Sequence, residues 1–342
     1  MPPALPKLSY VLLSHNRVKY IRAAIESAFA QDYEGELEYI FSDDCSTDRT
    51  FEIIKECVAA YKGKRRVVVT QTPRNLHLAG NTNHAVQFVE SDWIVRADDD
   101  DISTPDRCSI IGRAIANHPG CSYVYTLMQT FVDGEKLNIK PQTASSDARV
   151  ERLDVLNGHN DMWTEFFAAD TLHQVWSCRH FKQFGPLPEN GYWVDDVISN
   201  MRCCCMGFGI KIYRTTAYIR NNSGNMSKGG ADGSRGYKSI IQLENFNDNY
   251  YNTTLPPLLD CCDSIQMFLR ESGIQAESFI SCIKKDIAER KLLCSFWRKG
   301  TINRIRVSRA IGAKGLFSMI RCLPLPIYAA LLTTYRKLVG KA

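Results

Sequence analysis

Residues 92–103 read DWIVRADDDDIS, in which a short apolar run leads directly into four consecutive aspartates. The run has the length and composition of a buried β-strand. Four adjacent carboxylates raise one another's pKa, because each ionised group disfavours ionisation of its neighbours. The stretch therefore predicts a strand that ends either in a solvated acidic turn or in a site where a cation offsets the repulsion.

Strand and helix patterns alternate on both sides of this stretch. Strands are predicted at residues 8–14, 37–42, 66–70 and 92–97, and helices at 18–31, after Ser46 or Thr47, at 80–90 and from Thr104. Ser46 or Thr47 is expected to cap the second helix, and Pro105 to lie in the first turn of the fourth. Such alternation is typical of an α/β fold with a mostly parallel sheet flanked by helices.

Beyond residue 120 the alternation loosens. Residues 121–132 are typical of one long strand or a strand pair, and residues 209–220 of a further strand. The stretch 221–236 is rich in Gly, Asn and Ser, which indicates a loop or a domain boundary. We therefore predict a first domain at residues 1–225 and a helical, basic C-terminal region at residues 226–342.

Two acidic clusters directly follow predicted strands. Asp43 and Asp44 follow LEYIFS, and Asp98 to Asp101 follow DWIVRA. Ligands of such sheets bind beyond the carboxyl ends of the strands. Because Mg²⁺ and Mn²⁺ prefer one or two carboxylates together with substrate phosphates, the clusters indicate a divalent-cation site that holds a diphosphate.

The composition indicates a globular protein of a reducing compartment. The chain has 342 residues, 44% of them hydrophobic, which is enough for one large core or two domains. Its 13 cysteines form no CxxC pair, so free thiols are expected rather than disulfides or a zinc site. The first residues, MPPALPKLSY, lack the pattern of a secretory signal peptide, and a cytoplasmic location is expected.

Basic charge is concentrated at the C-terminal end. From Lys284 onward there are 14 Lys and Arg against 2 Asp and Glu. The longest uncharged run there, Cys322–Tyr335, is too short to span a bilayer. The segment is expected either to lie on an anionic membrane surface or to pack on the enzyme domain or a second subunit of a homo-oligomer. No nucleic acid is expected as a partner, since no recognised binding module is visible.

Four sequence blocks resemble the family 2 glycosyltransferases, inverting enzymes with the Rossmann-like GT-A fold that bind nucleotide sugars. The blocks are SYVLLSHNRVKYIRAAIESAFAQDY (9–33), YIFSDDCSTDRT (39–50), RNLHLAGNTNHAVQFVESDWIVRADDDDISTPDR (74–107) and FGPLPENGYWVDDVISNMRCCCMGFGIKIY (184–213). They occur in the family's order, and the third contains the region of its DxD motif. The chain departs from the family at Leu13, where Thr or Pro is common, at Cys45, where Gly is usual, and at Asp195, where Glu is usual.

The resemblance implies a set of site residues. Contacts with the nucleotide sugar are implied for Leu13, Ser14, His15, Asn16, Arg17, Asp44, His77, Asp98 and Asp99. Asp100 is the implied first ligand of Mn²⁺ or Mg²⁺, with Asp98 beside it. Asp196, next to Asp195, is the implied general base that deprotonates the acceptor hydroxyl. The alternative for both acids is a first-turn position that favours a helix N-terminus.

Several other side chains have two explanations at this stage. His15 either stacks on the base or is structural, and His77 either contacts phosphate or lies on a loop surface. Arg202 is expected to tether its helix, and Arg220 to help close the following loop over the donor. Stacking on a sugar and buried packing are both open for Trp163, Trp176 and Trp193.

The sequence thus predicts an inverting, metal-dependent glycosyltransferase. It would move a sugar from a nucleotide-diphosphate donor, expected to be UDP-linked, to a glycan or lipid-linked acceptor. The setting, assembly of lipopolysaccharide O-antigen, capsule or exopolysaccharide, rests on family analogy. The alternatives are a nucleotidyltransferase, whose Gly-rich basic loop is missing from LLSHNR, and a non-catalytic membrane- or partner-binding protein with a degenerate transferase domain.

Overall fold

The computed structural model describes residues 3–134, 137, 149–154, 175–189, 195–221, 260–276 and 279–281. The chain divides into two compact units, residues 1–221 with 263–279 and residues 222–262 with 280–342. Nearly all of the predicted C-terminal region, 226–342, lies outside the described residues, as do Trp163 and Trp193. The fold and the site below belong to the first unit.

Four parallel strands form the first half of a nine-stranded sheet. They are β1 (Leu8–Ser14), β2 (Leu37–Asp43), β3 (Val67–Gln71) and β4 (Trp93–Asp98), in the order β3-β2-β1-β4. All residues of β1 and β2 are buried. Strands covered on both faces need continuous apolar runs rather than alternation, which explains why the sequence signals were strong here.

Helices cover both faces of these strands. They are α1 (Ile21–Phe29), α2 (Thr50–Ala60), α3 (His77–Val86) and α4 (Arg107–Asn117). Leu8, Tyr10 and Leu12 alternate along β1 and pack into one core with side chains of α1, α2 and α4. Helix α3 contacts β1 and β2, and Asn81 Nδ2 donates to the carbonyl of Ser42 at 3.2 Å.

The second half of the sheet mixes parallel and antiparallel strands. It contains β5 (Ile102–Ser103), β6 (Cys121–Val132), β7 (Val150–Leu153), β8 (Val175–Ser177) and β9 (Phe208–Asn221), with α5 (Arg179–Phe184) and α6 (Asp195–Met206) between β8 and β9. The order continues β4-β8-β6-β9-β5, and β7 pairs with β9. The predicted α/β architecture with a central, helix-flanked sheet is confirmed, and residues 121–132 are one long strand.

Two expected helix starts were wrong. Helix α2 begins at Thr50, because the Ser46 hydroxyl donates to Asp43 and accepts the Asn16 N–H at 2.8 Å. The Thr50 N–H is instead bound by Asp48 Oδ1 at 2.9 Å. Neither Ser46 nor Thr47 therefore caps the helix.

The fourth helix also starts later than expected. Helix α4 begins at Arg107, so Pro105 lies before its first turn. The Thr104 N–H donates to the carbonyl of Thr216 in β9 at 2.8 Å, which holds residue 104 against the sheet. This hydrogen bond, between residues more than a hundred positions apart, thus outweighs the local sequence pattern that predicted a helix start at Thr104.

The described part of the chain contains neither disulfides nor a membrane-spanning helix. All its cysteines are free thiols. None of its helices has the length and apolarity needed to cross a bilayer.

Candidate active site

The carboxyl ends of β1, β2 and β4 meet at one edge of the sheet. Leu13 is in register with Asp98 of β4, and Ser14 with Asp43 of β2. The Asp44 N–H continues this pairing by donating to the Ser14 carbonyl at 2.7 Å. Both predicted acidic clusters therefore flank the end of β1, as the parallel arrangement requires.

His15 joins three of the turns at this edge. Its Nδ1 lies 2.8 Å from the backbone carbonyl of Asp44, so Nδ1 must carry the proton. Its Nε2 lies 3.1 Å from Nδ2 of both Asn16 and Asn75. Nε2 is therefore the acceptor, and His15 connects the turns that carry Asn16, Asp44 and Asn75.

The orientation of both amides is fixed by their other contacts. Asn16 Oδ1 accepts the Thr47 N–H at 2.8 Å, and Asn75 Oδ1 accepts the His77 N–H at 2.9 Å. Each amide nitrogen is left to donate to His15. Asn16 and His77 both have positive φ, 53° and 59°, a backbone conformation in which Asn and His are enriched.

Asp44 is held by the turn that follows β3. Its Oδ1 accepts the Thr72 hydroxyl at 2.8 Å and the Leu76 N–H at 2.7 Å. The adjacent His77 is half-buried at the start of α3. The Ser14 hydroxyl is buried and has no hydrogen-bond partner in the described part of the chain. A buried hydroxyl without a partner in the protein is one that a polar ligand or a water molecule can satisfy.

The four consecutive aspartates are matched by arginines and N–H groups of the protein. Asp99 accepts the His15 N–H at 2.9 Å, and Arg17 Nε lies 3.4 Å from Asp99 and 3.7 Å from Asp100. Asp98 is paired with Arg96. Arginine side chains of the protein therefore offset part of the repulsion within the cluster.

Arg220, at the end of β9, binds the other side of the acidic turn. Its N–H donates to Asp101 Oδ1 at 2.8 Å and its Nε to the Asp100 carbonyl at 2.9 Å. The guanidinium lies between the rings of Tyr20 and Phe131, 4.7 and 4.6 Å from their centroids. The strand pair β5–β9 brings it there, since Ile102 is paired with Tyr218.

Burial still disfavours ionisation within the cluster. It raises the pKa of Asp99, as does the Asp100 charge, while Arg17 opposes the shift. Burial and the Asp98 charge raise the pKa of Asp101 to about 7. Carboxyl groups whose pKa is raised by burial, although cations lie nearby, are typical of functional sites.

Asp195 and Asp196 form the first turn of α6, on the same edge. Asp195 is 1% exposed, and its Oδ2 accepts Arg96 Nε at 3.1 Å. Asp196 is partly exposed, and its pKa is raised to about 7 by burial and by the Asp195 charge. The charges of Arg96 and Asp98 also act on Asp196. The sequence assigned no function to Arg96, the residue that connects the two acidic groups.

The turn before α6 and the helix itself are each anchored by a side chain. Arg202 donates to the carbonyls of Gly185 and Pro186 at 2.9 and 3.3 Å, in line with the expected tether. Trp176 is fully buried and donates to Asn200 Oδ1 at 3.0 Å. For this tryptophan buried packing, and not sugar stacking, is the correct alternative.

The donor set suits a hard divalent cation that a ligand helps to hold. Among the described residues, no three His, Cys, Asp or Glu side chains form a metal site by themselves. Asp98 is paired with Arg96, and the Asp100 carboxylate forms a longer ion pair with Arg17, 3.7 Å from its Nε. One or two carboxylates completed by phosphate oxygens are the usual ligands of Mg²⁺ and Mn²⁺.

Comparison with known proteins agrees with this geometry. The sequence model of glycosyl transferase family 2 matches residues 9–172. The resemblance to this family seen in the sequence is confirmed for this part of the chain. The Bacillus subtilis (strain 168) protein "Putative glycosyltransferase EpsE" is 35% identical over 102 residues, 30% of this chain and 36% of that protein. The chain spans little more than a third of the length of the first curated relatives that it matches.

Solved structures share the fold. Staphylococcus aureus TarS in complex with UDP-GlcNAc superposes with a TM-score of 0.54 at 18% identity, over 97% of this chain and 92% of that one. The mannosyltransferase PcManGT from Pyrobaculum calidifontis, in complex with GDP-Man and Mn²⁺, gives a TM-score of 0.52 at 13% identity, over 98% and 82%. The GT-A fold is thereby confirmed.

Proposed function

We propose that this chain transfers a sugar from a UDP-sugar, with inversion, to a hydroxyl of a glycan or lipid-linked acceptor. One observation carries the proposal: hydrogen bonds of His15 and ion pairs of Arg17 and Arg96 connect the ends of β1, β2 and β4 with the start of α6. These contacts join the nucleotide-binding edge to a carboxylate suited to act as base.

The nucleotide part of the donor would bind at the β1 and β2 ends. Asp44, fixed by two hydrogen bonds to Oδ1, and the buried Ser14 hydroxyl offer polar contacts for base and ribose. The TarS complex with UDP-GlcNAc supports UDP as the nucleotide, and the PcManGT complex with GDP-Man makes GDP the competing choice.

Asp196 would be the general base. Its ionised carboxylate takes the proton of the acceptor hydroxyl, and that oxygen forms a bond to the anomeric carbon. The bond from this carbon to the diphosphate oxygen breaks on the opposite face, and the diphosphate leaves with the electron pair. A pKa of about 7 suits a base that works near neutral pH. A divalent cation held by Asp100, with Asp98 beside it, would supply positive charge for the leaving diphosphate.

A calorimetric titration with UDP, GDP and other nucleoside diphosphates, with and without Mn²⁺, tests the donor site. We expect one diphosphate, UDP, to bind more tightly with Mn²⁺. Asp100→Asn should remove the Mn²⁺-dependent part, whereas Asp92→Asn, a control at a carboxylate that is 78% exposed, should not. Absence of binding to every diphosphate by the folded protein would overturn the proposal.

The base assignment needs a separate measurement. Asp196→Asn should bind UDP as the wild type does and should release UDP from UDP-sugars at least about 100-fold more slowly. Release at the wild-type rate would show that another group is the base.

The wider setting is proposed on composition and family alone. The chain would work on the cytoplasmic side in surface polysaccharide assembly, with its basic segment from Lys284 onward on an anionic membrane. Sedimentation with phosphatidylglycerol vesicles at low and high salt tests this. If the protein stays in the supernatant at low salt, the segment has another partner, such as a second subunit.

A further inference from the structure

Arg96 is a buried cation in the middle of a central strand. It lies in β4, in register with Val11 of β1, and its side chain is 3% exposed. Removing a guanidinium from water is costly unless charged and hydrogen-bonding partners replace the solvent. Residues two apart in a strand share a face, so Arg96 and Asp98 point to the same side of the sheet.

The guanidinium binds two carboxylates from different elements. Its Nη1 and Nη2 lie 3.2 and 3.1 Å from the two oxygens of Asp98, a bidentate pair. Its Nε donates to Asp195 Oδ2 at 3.1 Å. Burial alone would lower the pKa of Arg96, but Asp195 and Asp98 more than reverse this and hold the cation charged.

Neighbouring groups hold the Arg96 backbone and the Asp195 carboxylate in place. The Arg96 backbone carbonyl accepts Arg107 Nη2 at 2.7 Å from the side of α4. The Thr82 hydroxyl of α3 lies 3.4 Å from the Asp195 oxygen that Arg96 binds. Arg96 is thus the centre of a packed arrangement in which three helices and one strand meet.

We propose that Arg96 is a positioning residue, which fixes the distance between the donor side of the site, at Asp98, and the base Asp196 through its neighbour Asp195. The inference rests on the proposed function. The guanidinium is planar and presents its donors in a fixed fork, so it sets the two carboxylates relative to one another. A lysine would keep the charge but has a single nitrogen that cannot hold both in the same geometry.

Arg96→Lys, compared with wild type, tests the proposal. UDP release from the UDP-sugar that the wild type cleaves fastest should show a kcat at least about 30-fold lower, because a misplacement of about 1 Å costs up to about 100-fold. UDP affinity measured without Mn²⁺ should change by less than about fivefold, since Arg96 does not contact Asp44 or the turn after β1. Loss of affinity with an unchanged kcat, or no change in either, would overturn the proposal.

Arg65→Lys is the matched control. Arg65 also makes several hydrogen bonds, to the carbonyls of Gln31 and Tyr33 and to the Tyr39 hydroxyl, but it precedes β3 at the opposite edge of the sheet. Its replacement should cost stability without lowering kcat. If both variants lower kcat alike, the effect comes from a general loss of structural rigidity, and Arg96 has no specific positioning role.

Two further measurements keep the outcome decisive. If Arg96→Lys does not fold, Asp195→Ala replaces it: without the carboxylate that binds Arg96 Nε, kcat should fall at least tenfold with UDP affinity kept, and a wild-type kcat would refute positioning. If the wild type releases no UDP, the proposed function fails, and hydrogen exchange at residues 195–198 decides. Faster exchange in Arg96→Lys, but not in Arg65→Lys, supports positioning, and equal exchange rejects it.

Discussion

Asn83 and Leu187, 104 positions apart, are joined by two hydrogen bonds: Asn83 Nδ2 donates to the Leu187 carbonyl, and the Leu187 N–H donates to Asn83 Oδ1, both at 2.8 Å. The side-chain amide thus pairs with the backbone as a neighbouring strand would. It ties α3 to the turn that precedes α6, the helix that carries the proposed base Asp196.

Asn83→Asp should destabilise the protein by about 1–3 kcal/mol, because an oxygen would then face the Leu187 carbonyl with no hydrogen between them. Urea unfolding measures this. Asn117→Asp, at an exposed position at the end of α4, is the control and should change stability by less than about 0.5 kcal/mol. Equal effects of the two changes would contradict the importance of the pairing.

Cys45→Gly should stabilise the protein. Cys45 has φ 52°, where a Cβ costs roughly 1–2 kcal/mol, and the extra chain entropy of glycine offsets part of that gain. We expect a net gain of about 0.5–1 kcal/mol in thermal or urea unfolding. Cys45→Ala keeps the Cβ while removing the thiol, so it should show no gain; a gain in that variant would assign the effect to the sulfur.

The rate of UDP release should rise with pH through a midpoint near 7. A general base acts when ionised, and burial with the Asp195 charge raises the pKa of Asp196 to about 7. Asp195→Asn removes that charge and should move the midpoint of kcat/KM to lower pH. Asp92→Asn, which removes an exposed charge, should leave it in place. A midpoint near 4 in the wild type would exclude Asp196 as the titrating group.

Asp101→Asn should gain stability over the wild type as pH rises. Burial and the Asp98 charge raise the pKa of Asp101 to about 7, so ionising it costs folding free energy between its unfolded value near 4 and pH 7. The asparagine still offers an oxygen to the Arg220 N–H. At pH 8 the variant should be more stable by at least about 1 kcal/mol, and the difference should shrink toward pH 4. A stability difference between the two proteins that does not vary with pH would refute the raised pKa of Asp101.

The sequence predicted the parallel strands well for a physical reason. Strands β1, β2 and β4 are almost entirely buried, so each is a nearly continuous apolar run, and acidic residues mark where β2 and β4 end. Helix starts were less predictable, because Ser46 and Thr104 bond to distant groups. No local pattern at either residue reveals those partners.

The connections within the site were harder to foresee than its members. Asp44, Asp98 and Asp196 follow from motifs, but the partner of Arg96 lies 99 positions away. A charged residue inside the apolar run DWIVRA was the available signal. It indicates a buried ion pair, since an unpaired arginine would not be tolerated in such a strand, yet it does not identify the partner.

Arg220 also bears on how the protein is made. Its N–H binds Asp101, which the ribosome adds 119 residues earlier. At roughly 5–20 residues per second, the acidic turn of the nascent chain waits on the order of ten seconds for this contact. The edge that carries the candidate site is therefore completed only when β9 emerges, so a chain stalled before that strand exposes Asp101 without its Arg220 partner to chaperones and proteases.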